Sequence, residues 1–127
     1  MLPTIWPGDT LVIERASSGD VFDGDIVMFN NGRRFVAHRV VAKSIGPEGS
    51  MVRTQGDAVP QPDSPVARGD LQGKVSFILR NGTRIEANQK LGFSERALAA
   101  VFRRSEIAAR VVVRVHRMCW NSRVQTL

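Results

Sequence analysis

The sequence predicts a mostly β domain: a coiled antiparallel sheet or barrel over residues 9–87, followed by a basic carboxy-terminal α-helix that starts near Ser94. Three observations predict it. Glycine and proline divide the first 87 residues into short runs rich in Val, Ile and Phe. Tight-turn signals join those runs, which is how antiparallel strands are connected. From Ser94 to Met118 there is neither glycine nor proline, and arginine recurs throughout. The division places a β domain at 1–90 and a basic helical extension at 91–127.

Each element has its own reason. "DTLVIER" (9–15), "DIVMFN" (25–30), "RFVAHRVVAK" (34–43), "MVRTQ" (51–55) and "GKVSFILR" (73–80) carry the β-branched and aromatic residues that suit a pleated surface. "NNGRR" between the second and third runs, and "RNGTR" after Arg80, are Asn-Gly hairpin signals, the latter closed by "IEA". "QPDSP" (61–65) is a proline-framed loop, because proline donates nothing to a central ladder. Ser94 is a suitable helix cap. Leu98, Val101, Phe102, Ala108 and Ala109 share one face of the expected helix over 95–118.

Bulk properties narrow the function. With 127 residues, 43% hydrophobic and 24% charged, the chain has enough apolar material for its own core and is not disordered in type. The lone Cys119 excludes an internal disulfide, no His/Cys group has metal-ligand spacing, and no cofactor is expected. No run approaches the ~18 apolar residues of a membrane-spanning helix. Asp9 and Glu14 interrupt the only apolar start, against a signal peptide. Seven arginines face only Glu95 and Glu106 over 95–127, a net +5 within the total of +6. Such a charge suits an anionic membrane surface or nucleic acid equally, and a solvated basic helix face is the plain alternative. No set of stacking aromatics accompanies it, so nucleic acid is not an expected partner.

The residues able to do chemistry are few. His38 sits in a strand run with Val36, Val40 and Ala42 on its own side, where a histidine is most often core. Asp57 follows a glycine and Asp63 lies between prolines, where each could merely order a turn. Together they make a different case. An imidazole acts as a general base when a carboxylate fixes its tautomer and steadies its charged form, and Asp63 on its stiffened loop could supply that carboxylate. Such a pair needs a nucleophile. Cys119 in the basic tail is a poor candidate, and Ser50 reads as a turn residue.

In this order and spacing the chain resembles the signal peptidase I family of membrane-bound serine endopeptidases. Met1-Leu2-Pro3-Thr4, followed by Pro7-Gly8-Asp9, is similar to the segment after the family's nucleophile. Gly24-Asp25-Ile26-Val27-Met28-Phe29 matches its second box, and His38-Arg39-Val40 occupies the general-base strand. Gly56-Asp57 with Asp63 matches the last box, and Gly73-Lys74-Val75 the closing strand. Histidine at the base position resembles the archaeal, sporulating-bacterial and endoplasmic-reticulum branch. The resemblance, which covers about residues 1–80, implies a Ser-His-Asp mechanism and a signal-peptidase fold. His38, Asp63 and Asp57 would be the catalytic set, with Asp63 favoured as partner of His38 by the branch's spacing. Met1 and Leu2 would line the substrate cleft.

The implied substrate is an extended peptide, the signal peptide of an exported protein, with small side chains before the scissile bond. The implied setting is the outer face of the cytoplasmic membrane. The nucleophilic serine would fall immediately before Met1, so the chain beginning at Met1 is expected to be inactive. A lost amino terminus accounts for this better than a dead remnant, since His38, Asp57 and Asp63 are all kept. The alternative is a catalytically inactive peptide-binding relative with the same cleft. Self-cleaving repressor relatives use a lysine base and a DNA-reading domain, and His38 counts against them.

Overall fold

The computed structural model describes residues 1–87, together with Ala97, Leu98, Ala100, Val101, Arg104, Arg110, Val111 and Val113–Val115. Six strands form one antiparallel sheet: β1 Thr10–Glu14, β2 Ile26–Asn30, β3 Phe35–Gly46, β4 Gly49–Gln55, β5 Leu71–Arg80 and β6 Thr83–Glu86. Their order is β1-β5-β2-β3-β4, with β6 also on β5. β1 and β2 both pair with Lys74 and so take opposite edges of β5, which leaves β6 to share the β2 edge farther along.

The sheet is open, which corrects the barrel expectation. Closure would need β4 to pair with β1. The outer edge of β4 is instead occupied by its own returning chain, through the Asp63 N–H bond to the Thr54 carbonyl (2.7 Å) and the Val66 N–H bond to Val52 (2.7 Å). A second correction concerns Ser50, which lies within β4 opposite Ile45 and not in a turn. β3 and β4 both run farther than the sequence runs suggest, so the turn between them is confined to Pro47 and Glu48. The expected helix over 95–118 lies largely outside the described residues. Its described positions are helical in backbone and mostly exposed.

Both faces of the sheet are covered. Adjacent residues of β2 point to opposite sides, so Val27 and Phe29 join Val21, Val40, Val52 and Val66 in one core. Ile26 joins Val75, Ile78 and Ala87 in the other. Burying such side chains contributes about 1.5–3 kcal/mol each. The amino-terminal segment covers the second core, with Met1 and Ile5 packed against it and Leu2 buried.

Local chemistry sets the turns. Asn81 (φ 52°) and Gly82 (φ 77°) are both left-handed, as a two-residue hairpin of this hand requires. In the other hairpin the Asn31 side chain accepts from the N–H groups of Arg33 and Arg34 at 3.2 and 3.1 Å.

Candidate functional site

β3 carries the central residues. Consecutive side chains on a strand face opposite ways, so His38 and Arg39 lie on different faces of the sheet. His38 stands opposite Val27 of β2 on the Val40 side, edge-on to Phe29 with ring centroids 6.0 Å apart. Arg39 turns toward the amino-terminal segment.

On the first face, His38 Nδ1 and Asp63 Oδ2 are 2.5 Å apart. β4 holds the carboxylate in place, since the Thr54 hydroxyl donates to the same oxygen at 2.7 Å while Thr54 receives the Asp63 N–H. With Asp63 ionised, Nδ1 is the donor and Nε2 is left with its lone pair. Nε2 lies against Gly56, where a Cβ would come within 3.1 Å of it. Any larger residue at 56 would crowd that nitrogen. The arrangement is a half-buried imidazole with one nitrogen oriented and the other without a hydrogen-bond partner among the described residues, which is what a general base requires.

On the second face, Asp57 is buried and serves a different partner. Arg39 Nε meets its Oδ1 at 2.9 Å, Arg39 Nη2 meets Oδ2 at 3.1 Å, and the Thr4 hydroxyl donates to Oδ2 at 2.6 Å. Arg39 Nη1 also donates to the Gly24 carbonyl at 2.9 Å. A second pair, Arg80 on Asp9 at 2.9 and 2.7 Å, fastens the same segment, and Arg80 also donates to the Thr4 carbonyl. Burial holds the Met1 amino group below its usual value, and the Asp57 carboxylate partly offsets this. Position 1 therefore sits beside Asp57.

The structure thus brings His38 and Asp63 together and sets Asp57 apart from them, as the partner of Arg39. Met1 is half-buried near Asp57, whereas Leu2 belongs to the core. Arg39, Thr4 and Thr54 are the residues that sequence reasoning missed. A signal for Arg39 was present: a buried aspartate needs a cation, and the residue next to His38 on a strand must face away from it.

β3 has one further property. Asn31 N–H bonds the Arg34 carbonyl, and Val40 N–H bonds the Asp25 carbonyl. These bonds fix the ladder's phase, so Arg34, Val36 and His38 bond to β2 while Phe35 and Ala37 point their N–H and C=O to the other edge. β4 pairs only from Arg39 onward. Among the described residues, Phe35 and Ala37 have no backbone partner on that edge.

Also among the described residues, no group of three or more His, Cys, Asp or Glu side chains could hold a metal ion, and no helix is long and apolar enough to cross a membrane. Comparison with protein-family models, with curated proteins and with solved structures gave no match.

Proposed function

We propose that this domain is the β portion of a signal-peptidase-like serine endopeptidase, acting on extended peptides by a Ser-His-Asp mechanism. The observation that carries the reading is the Thr54-Asp63-His38 chain, with Nε2 beside Gly56. The nucleophile is a serine joined directly to Met1. Two facts favour that position: the Met1 amino group is buried near Asp57, and Gly56, the neighbour of Asp57 in the chain, lies against Nε2. In the reaction, Nε2 takes the serine proton as Oγ attacks the scissile carbonyl. It then returns the proton to the leaving amine, and Asp63 steadies the imidazolium throughout. Water repeats the sequence on the acyl-enzyme.

The open β3 edge supports the substrate class. A peptide laid along Phe35 and Ala37 gains main-chain bonds whatever its sequence, and its alternate side chains meet the cleft. Signal peptides of exported proteins fit this demand, with processing at the outer face of the cytoplasmic membrane. The basic tail, with Leu98, Val101, Val111 and Val115 exposed, favours contact with an anionic membrane surface.

The test is to extend the chain with an anchor and a serine immediately before Met1, then assay a peptide with small residues before the cleavage point. Turnover is expected, with loss on the order of 10⁴-fold or more for His38→Ala and for Asp63→Asn. The chain starting at Met1 is expected to give no serine-type cleavage. The same open edge also favours a second reading, a module that binds peptides without cutting them. An extended protein that binds the peptide and never cleaves it would decide for that module.

A further inference from the structure

A cavity of about 650 Å³ lies on the Asp63 side of His38, between the β2–β3 hairpin and the loop that crosses over from β4 to β5. Phe29, Val36 and Val66 give it an apolar floor, and Asp63, Asp70 and Arg34 bring charge to its walls. Asp63 uses a single oxygen, Oδ2, for both His38 and Thr54. Its other oxygen, Oδ1, takes no bond among the described residues, and 27% of the side chain is exposed. Asp70 is exposed, and its carboxylate forms no ion pair among the described residues.

We propose that this cavity is a subsite for a basic side chain, arginine or lysine, of the bound peptide. The aliphatic stem of such a residue lies on Phe29, Val36 and Val66, and its cationic head meets Asp63 Oδ1 and Asp70. Long cationic side chains bury their stems and keep the head polar in this way. Two carboxylates against one arginine give the walls a net negative charge, complementary to the occupant. The cavity is continuous with the open β3 edge through Val36 and His38, whose neighbours Phe35 and Ala37 present the unpaired backbone groups. A peptide strand added there places every second side chain on the cavity side of the sheet. Arg34 is the built-in competitor, since it lines the same cavity.

The subsite also touches the chemistry. The carboxylate that orients His38 is the one that receives the substrate's charge, so occupancy of Oδ1 is felt at the imidazole through Asp63. A basic residue at the correct position in the peptide therefore both anchors the strand and alters the His38 environment.

This inference rests on the peptide-binding edge just proposed, and the experiment separates the two. Dye-labelled peptides of alanine and serine, with one arginine moved along the sequence, are titrated into the full chain by fluorescence anisotropy. Matched peptides carry citrulline, which keeps the shape and removes the charge. Binding tighter with arginine at one position only, by roughly tenfold over citrulline, is the expected result for charge-assisted hydrogen bonds in a partly covered site. Asp70→Asn should reduce that preference, Arg34→Ala should increase it, and the arginine peptide should move the His38 ring resonances farther than its citrulline match does. Equal binding of both peptides at every position would overturn the subsite and leave the strand-addition reading standing. No binding of either peptide would overturn both.

Discussion

Replacing Arg39 by leucine tests how the site is held together. The substitution puts an apolar side chain on the strand and removes four hydrogen bonds, two to Asp57, one to the Gly24 carbonyl and one to the Thr4 hydroxyl. Asp57 has only 3% of its side chain exposed, so water cannot replace the lost guanidinium. The Thr4 hydroxyl and the nearby Met1 amino group remain, but neither replaces the paired guanidinium bonds. Breaking a buried pair from one side costs about 3–5 kcal/mol. For a domain whose whole stability is roughly 5–15 kcal/mol, that is a large share. In a domain of this size it lowers Tm by roughly 12 °C or more.

The assay is urea unfolding, with Arg84→Ala as internal control. Arg84 and Glu86 form a pair of similar length, 2.9 Å, but their side chains are 61% and 56% exposed. An exposed pair is worth about 0–1 kcal/mol. The ratio between the two losses is therefore the prediction, since length alone would make them equal. Arg39→Leu combined with Asp57→Leu should recover most of the stability. A loss below ~1 kcal/mol for Arg39→Leu at neutral pH would refute the argument that Asp57 depends on this partner.

Three further outcomes follow from the same geometry. Gly73→Ala puts a Cβ 2.1 Å from the Glu14 carbonyl oxygen, so β1 and β5 must separate; a loss of at least ~1–3 kcal/mol in unfolding experiments is expected. Gly56→Ala puts a Cβ 2.9 Å from Val59 and 3.1 Å from His38 Nε2, so in the serine-extended protein it should depress turnover far more than peptide affinity, read as kcat against Kd. Asp20 is held below its usual value of 3.8, first by the Ser17 hydroxyl and then by the Ser17 N–H. That contribution is present above the unfolded value and lost as pH falls through the folded one. Ser17→Ala should move the Asp20 carboxyl titration, followed by NMR, upward toward the ordinary value.

The parts of the fold legible in the sequence are those set locally. Asn81-Gly82 marks a hairpin because few residues other than Gly and Asn take left-handed backbone readily, and the valine-rich runs mark strands because both faces of the sheet are covered. Closure was not legible. Whether β4 meets β1 depends on what covers its outer edge, and the Asp63 and Val66 backbone bonds that do so come from a loop with no strand pattern. Ser50 was misread for a related reason: it follows Gly49, a residue that suggests a turn, yet it pairs with Ile45 across a long hairpin.

The site was half legible, and alternation explains which half. The spacing of Asp57 and Asp63 named both carboxylates without sorting them. His38 and Arg39 are adjacent on one strand, so their side chains leave through opposite faces and cannot share a carboxylate. Asp63 returns along β4 on the His38 face, pinned there by the backbone and hydroxyl of Thr54. Asp57, placed before that return, remains on the Arg39 face with Thr4. One carboxylate is thus left partly exposed to orient an imidazole, and the other is buried to fasten the amino-terminal segment. Exchanging the two residues at 38 and 39 would pair each side chain with the wrong carboxylate: a histidine would face a buried aspartate built for a bidentate cation, and an arginine would occupy the cavity wall. Such a protein should lose both the stability of the first face and any chemistry of the second, although its composition and charge are unchanged.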